Sequence, residues 1–121
     1  MGIKREKYTA SPTVELRCDV KFMDGSEGDY KGTFERITQD EVDVMTGQRA
    51  PLNDPEGEPR IWSNSEVVDR VLKGVSGISD GGQELPPEEQ LAWVKATPEC
   101  VTAAVSSFFK AMQRAKRAGK T

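Results

Sequence analysis

TPECVTAAVSSFFKAMQRAKRAGK, residues 97–120, is the longest stretch of the chain that reads as one helix. Thr97 suits an N-cap, and Pro98 suits the first helical position, where a missing N–H costs nothing. Glu99 places a negative charge at the positive end of the helix dipole. Val101, Val105, Phe108, Met112 and Ala115 recur at spacings of four, three, four and three, which makes one apolar stripe, and Phe109 widens it. From Lys110 onward the stretch carries Lys110, Arg114, Lys116, Arg117 and Lys120 and no acid, and Gly119 is a plausible stop. The first half is expected to anchor in a core and the second to project from it.

A long helix with one apolar face needs a second layer to cover that face. Residues 13–22 supply one. Val14, Leu16, Cys18, Val20 and Phe22 alternate with Glu15, Arg17, Asp19 and Lys21, the period of a half-buried strand. Asp24-Gly25 marks a turn, and Tyr30, Thr33 and Phe34 point to a return strand ending near Arg36, interrupted by Gly32. The two strands read as a hairpin with one face for helices to cover.

Between hairpin and long helix, three shorter helices are expected. Thr38 and Glu41 have the spacing of a capping box, with Ile37 and Val42 at the staple positions, so a helix should run from Gln39 to about Thr46 and close at Gly47. Residues 47–60 hold three prolines, two glycines and many charges, and read as a mobile loop that can rest on the body through Leu52. Ser63 and Glu66 repeat the capping box, with Trp62 and Val67 as staple, ahead of a stripe of Val67, Val68, Val71, Leu72 and Val75. This helix is expected to end near Val75. Asp80-Gly81-Gly82 is a tight turn, and Pro86-Pro87 opens a helix with Leu91 and Val94 inward and Trp93 one position off that stripe. The expected architecture is α+β: an N-terminal antiparallel hairpin packed against about four helices, the last the longest. Residues 1–12 read as a flexible arm, 13–116 as a single domain, and 117–121 as a basic tail.

Composition narrows the function. The 121 residues suit one domain; 36% are hydrophobic and 31% charged, and the mean hydropathy is −0.61. No apolar run is long enough for a membrane span, and the N-terminus lacks the apolar core of a secretory signal, so the default compartment is the cytoplasm. With no histidine and only Cys18 and Cys100, the common zinc spacings and histidine-dependent triads are excluded, and two buried thiols are favoured over a disulfide. Phosphate-binding glycine loops are absent, and the paired acids Asp40/Glu41 and Glu88/Glu89 sit where helix starts favour them. No enzyme activity and no cofactor or metal is expected. The net charge of −3 hides an asymmetry: the first 109 residues carry 12 basic and 20 acidic side chains. An acidic body repels phosphate, which counts against nucleic acid as a partner.

The segment from Trp62 to Lys120 resembles the tail assembly chaperones of long-tailed, lambdoid-type bacteriophages and prophages. The resemblance rests on a valine-rich helix (Glu66-Val67-Val68-Asp69-Arg70-Val71-Leu72-Lys73-Gly74-Val75), a Ser79-Asp80-Gly81-Gly82 turn, the acidic Glu84-Leu85-Pro86-Pro87-Glu88-Glu89 segment, and a proline-started helix with aromatics and a basic end. The passage from Tyr30 to Val42 is also similar. Where the family commonly has an aromatic after the glycine closing the valine-rich helix, this chain has Gly74-Val75-Ser76-Gly77. The resemblance implies a non-enzymatic protein of the host cytoplasm, needed for virion tail assembly and absent from the mature particle. It implies binding to the tape measure protein, help in recruiting tail tube subunits, and a frameshifted longer form of the chain as a further partner, with self-association left open. Partner contacts are expected at Phe108, Phe109, Met112, Arg114, Lys116, Arg117 and Trp93. The alternatives are a phage head–tail connector or adaptor, and a small nucleic-acid-binding regulator using the basic helix.

Overall fold

Alternation in the sequence becomes strand β1, Thr13–Lys21, with Cys18 and Val20 buried and Glu15, Arg17, Asp19 and Lys21 exposed. The computed structural model describes residue 2 and residues 12–118, with side chains as far as residue 114. The N-terminal arm, apart from residues 2 and 12, and the side chains of the basic tail lie outside the described residues. At the predicted turn, Gly25 takes a φ of 90°, and both the N–H and the hydroxyl of Ser26 donate to the Asp24 carboxylate. β2, Glu27–Glu35, returns antiparallel in register from Lys21↔Glu27 to Thr13↔Glu35.

Four helices follow: α1, Gln39–Met45; α2, Asn64–Val71; α3, Pro87–Ala96; and α4, Pro98–Ala118. The α+β architecture expected from the sequence is therefore present, with the last helix longest. α4 runs along β1 and α3 along the far strand of the sheet, with α2 against both helices. Tyr30, Phe34, Val68, Val71, Leu72, Val94, Cys100, Ala104 and Phe108 form the middle of the core. The Tyr30 hydroxyl donates to the Cys100 carbonyl at 2.7 Å, fastening the sheet to the first turns of α4. Ser107 donates to the Arg17 carbonyl at 3.1 Å, so α4 also serves the backbone of the outermost strand.

One expected element is different. The valine-rich helix stops at Val71, and Leu72–Ser76 forms a third strand, β3, paired antiparallel with β2, so the expected hairpin is two-thirds of a three-stranded sheet in the order β1-β2-β3. The cause lies in the register. Gly32 faces Val75 and Thr33 faces Gly74, but Phe34 faces Leu72, which leaves Lys73 as an extra residue. In a regular strand Leu72 and Val75, three apart, would point to opposite faces. The bulge at Lys73 returns both to the buried face, so a spacing typical of a helix is satisfied by a strand.

Two capping expectations also change. Thr38 accepts the Glu41 N–H, as expected, but the Glu41 carboxylate pairs with Arg70 at 2.8 Å instead of closing the box. The Thr97 hydroxyl donates to Trp93 O at 2.7 Å, finishing α3 rather than capping α4. The second box is complete: Ser63 and Glu66 exchange both bonds. Gly81 and Gly82, with φ of 60° and 83°, form the turn of a small hairpin of β4, Ser79–Asp80, and β5, Gln83–Glu84. Its base is held by the buried Gln90, which accepts from Ile78 N at 2.9 Å and donates to Leu85 O at 2.7 Å.

Glu66 gives a pH signature. Arg60 grips its carboxylate with two bonds of 2.9 and 2.6 Å, and with the Ser63 N–H this pulls the carboxyl down to about 2. A depressed carboxyl stabilises the fold above its unfolded value of about 4.3, and that contribution is lost as pH falls toward 2. Glu66→Gln keeps a capping side chain and removes the charge. The melting-temperature gap between wild type and Glu66→Gln is therefore expected to be largest above pH 5 and to close by pH ~2; a gap independent of pH would show that the ion pair does not stabilise the fold.

Candidate interaction surfaces

The loop at residues 47–60 is closed at its base. Thr46 and Ile61 form an isolated antiparallel bridge, and the Trp62 N–H donates to Met45 O at 2.9 Å. Gly47, with a φ of 77°, lets the chain leave α1, where Gln48 N–H donates to Asp43 O. Arg49 reaches back to Asp40 at 2.6 Å. Thus fastened, the loop lays Pro51 and Leu52 beside Val44 of α1 and Trp62. Together with Glu41 and Asn53 they line an apolar pocket of about 230 Å³. Leu52 remains 52% exposed and the neighbouring Ile61 76% exposed. Large apolar groups at the surface beside an apolar pocket are a feature of binding sites.

The partner residues expected from the sequence are dispersed. Phe108 is a core residue, 4% exposed, stacked on Phe34 with centroids 5.7 Å apart and edge-on to Phe109 at 5.5 Å. Phe109 and Met112 are half-buried against the same core. Trp93, 42% exposed, lines a cleft of about 480 Å³ with Phe22, Ile78, Leu85 and Cys100. Arg114 and Lys110 line a separate cleft of about 580 Å³ between α4 and β1, with Leu16, Arg17 and Asp19. The side chains of Lys116 and Arg117 lie outside the described residues. The apolar pocket contains none of the residues singled out for contact. Its sequence signal was Leu52, an isolated large apolar residue in a polar loop, and Trp62 at a staple position.

Cys18 and Cys100 are free thiols, both buried. Burial raises the Cys18 thiol, and burial followed by the nearby Glu99 charge pushes Cys100 up to about 11. Both should therefore resist a thiol-specific disulfide reagent at pH 8 and react promptly in denaturant. Fast reaction of either in the folded protein would contradict this placement.

No described helix is long and apolar enough to cross a membrane. Comparisons with family models, with curated proteins and with solved structures found no match to this chain.

Proposed function

We propose that the chain is a non-enzymatic tail assembly chaperone of the long-tailed phage kind. It binds the tape measure protein in the host cytoplasm, helps recruit tail tube subunits, and is left out of the finished particle. The observation that carries this reading is the apolar pocket of Val44, Pro51, Leu52 and Trp62, flanked by the exposed Leu52 and Ile61. A chaperone must offer apolar surface to its client without dismantling its own core; Leu52 and Ile61 are exposed, while Val44 and Trp62 tie the pocket to the core. The sequence resemblance supplies the identity of the client.

Co-expression tests the reading. An aggregating fragment of the tape measure protein should become soluble with the wild-type chain and remain insoluble with Leu52→Asp. A fragment that stays insoluble with both would sink the proposal. Binding to a preformed connector ring without any solubilising effect would favour the connector alternative.

A further inference from the structure

The loop that closes the apolar pocket is itself charged. Residues 39–60 contain Asp40, Glu41, Asp43, Asp54, Glu56 and Glu58 against the bases Arg49 and Arg60. Arg49 is spent on Asp40, Arg60 on Glu66, and Glu41 on Arg70. Asp43, Asp54, Glu56 and Glu58 form no ion pair among the described residues, and the last three are exposed on the same loop as Leu52. The pocket lining is mostly apolar with Glu41 in its wall, and the loop that supplies Pro51 and Leu52 to it carries Asp54, Glu56 and Glu58.

From this complementarity we infer that the pocket takes a basic amphipathic helix, with one large apolar side chain seated between Val44, Pro51, Leu52 and Trp62 and flanking lysines or arginines facing Asp54, Glu56 and Glu58. This rests on the reading of the pocket as the client site and adds the chemistry of the client. A space of about 230 Å³ suits one anchoring side chain rather than a drug-sized ligand. The Thr46–Ile61 bridge is isolated, so no ladder is present there for an extended segment to continue. A helix brings an anchor and its flanking charges without needing a strand edge.

Trp62 provides the readout. In a Trp93→Phe background it is the only tryptophan of the chain, so its emission reports the pocket. The probe is a synthetic leucine–lysine amphipathic peptide of about 18 residues, long enough to hold a helix, with its leucine–glutamate counterpart as control. The lysine peptide is expected to shift Trp62 emission to the blue, with an affinity that falls as salt rises, and the glutamate peptide to leave it unchanged. Leu52→Asp is the decisive variant, because it removes apolar contact while adding an acid. Docking in the pocket predicts about tenfold or more weaker binding, whereas charge attraction alone predicts tighter binding. Asp54→Asn/Glu56→Gln/Glu58→Gln should keep the emission shift at saturation and weaken binding at low salt. Equal binding of both peptides, no effect on Trp62, or undiminished binding by Leu52→Asp would overturn the inference. If the peptides fail in this way while the tape measure fragment is still solubilised in a Leu52-dependent manner, the client chemistry is wrong and the client site stands.

Discussion

Phe34→Ala is expected to destabilise the fold by about 3–5 kcal/mol. Phe34 is fully buried in β2 and meets each layer of the core. Its ring stacks on Phe108 of α4, and its backbone pairs with Leu72 at the bulged end of β3. Removing the ring opens a cavity where sheet and helix meet. Chemical denaturation followed by circular dichroism gives the cost. Phe108→Ala should cost a similar amount, and the double variant should show a coupling of about 0.5–1.5 kcal/mol from the lost ring pair. A loss below about 1 kcal/mol for Phe34→Ala would mean that this stack does not hold the two layers together.

Gly32→Val is the second large effect, and two principles predict opposite signs for it. By strand propensity a β-branched residue should improve the middle of β2. By packing it should not, because a Cβ on Gly32 would lie 2.6 Å from Cε1 of Phe34 and 3.0 Å from Cδ1 of Leu72. Both neighbours are buried and have little room to yield. Packing is expected to prevail, with a destabilisation of about 1–3 kcal/mol. Repeating the substitution in a Phe34→Leu background should reduce that cost, since the nearest ring atom is gone. A stabilised Gly32→Val protein would show that the sheet and Leu72 can part without penalty.

These two sites also mark where sequence reading was strong and where it failed. Gly32 reads as a weak point in a strand, whereas its missing side chain makes room for Phe34 and Leu72. β1 was legible residue by residue, because alternation requires only that one face be buried. The Ser63–Glu66 box was legible because its partners stand three positions apart. The Gly81-Gly82 turn was legible because glycines readily take positive φ at successive positions. Glu41 and Thr97 were misread for the complementary reason. Each has a local partner that suits it, but Arg70 claims the first and the carbonyl of Trp93 the second, and local pattern does not rank such competitors.

The same division holds for the candidate site. Leu52 was visible as an apolar residue able to rest on the body, and Trp62 as a staple, yet nothing local joins them. The pocket exists because the Thr46–Ile61 bridge and the Arg49–Asp40 pair return the loop to α1. Phe108 stood both on the core-facing stripe and among the contact candidates, and the stack with Phe34 takes its ring into the core.

Sequence by itself determined the alternating strand, the complete capping box and the turns, which depend on residues within a few positions of one another, and the α+β class and charge asymmetry, which follow from the order of such segments and a count of charges. Tertiary structure alone decided that residues 72–76 are a strand, that the ring of Phe108 stacks on Phe34, and that residues 47–60 fold back to close an apolar pocket. A stripe of Val71, Leu72 and Val75 fits a helix face and a bulged strand equally well, and only the free edge of β2, about forty residues earlier in the chain, settles which one lowers the free energy.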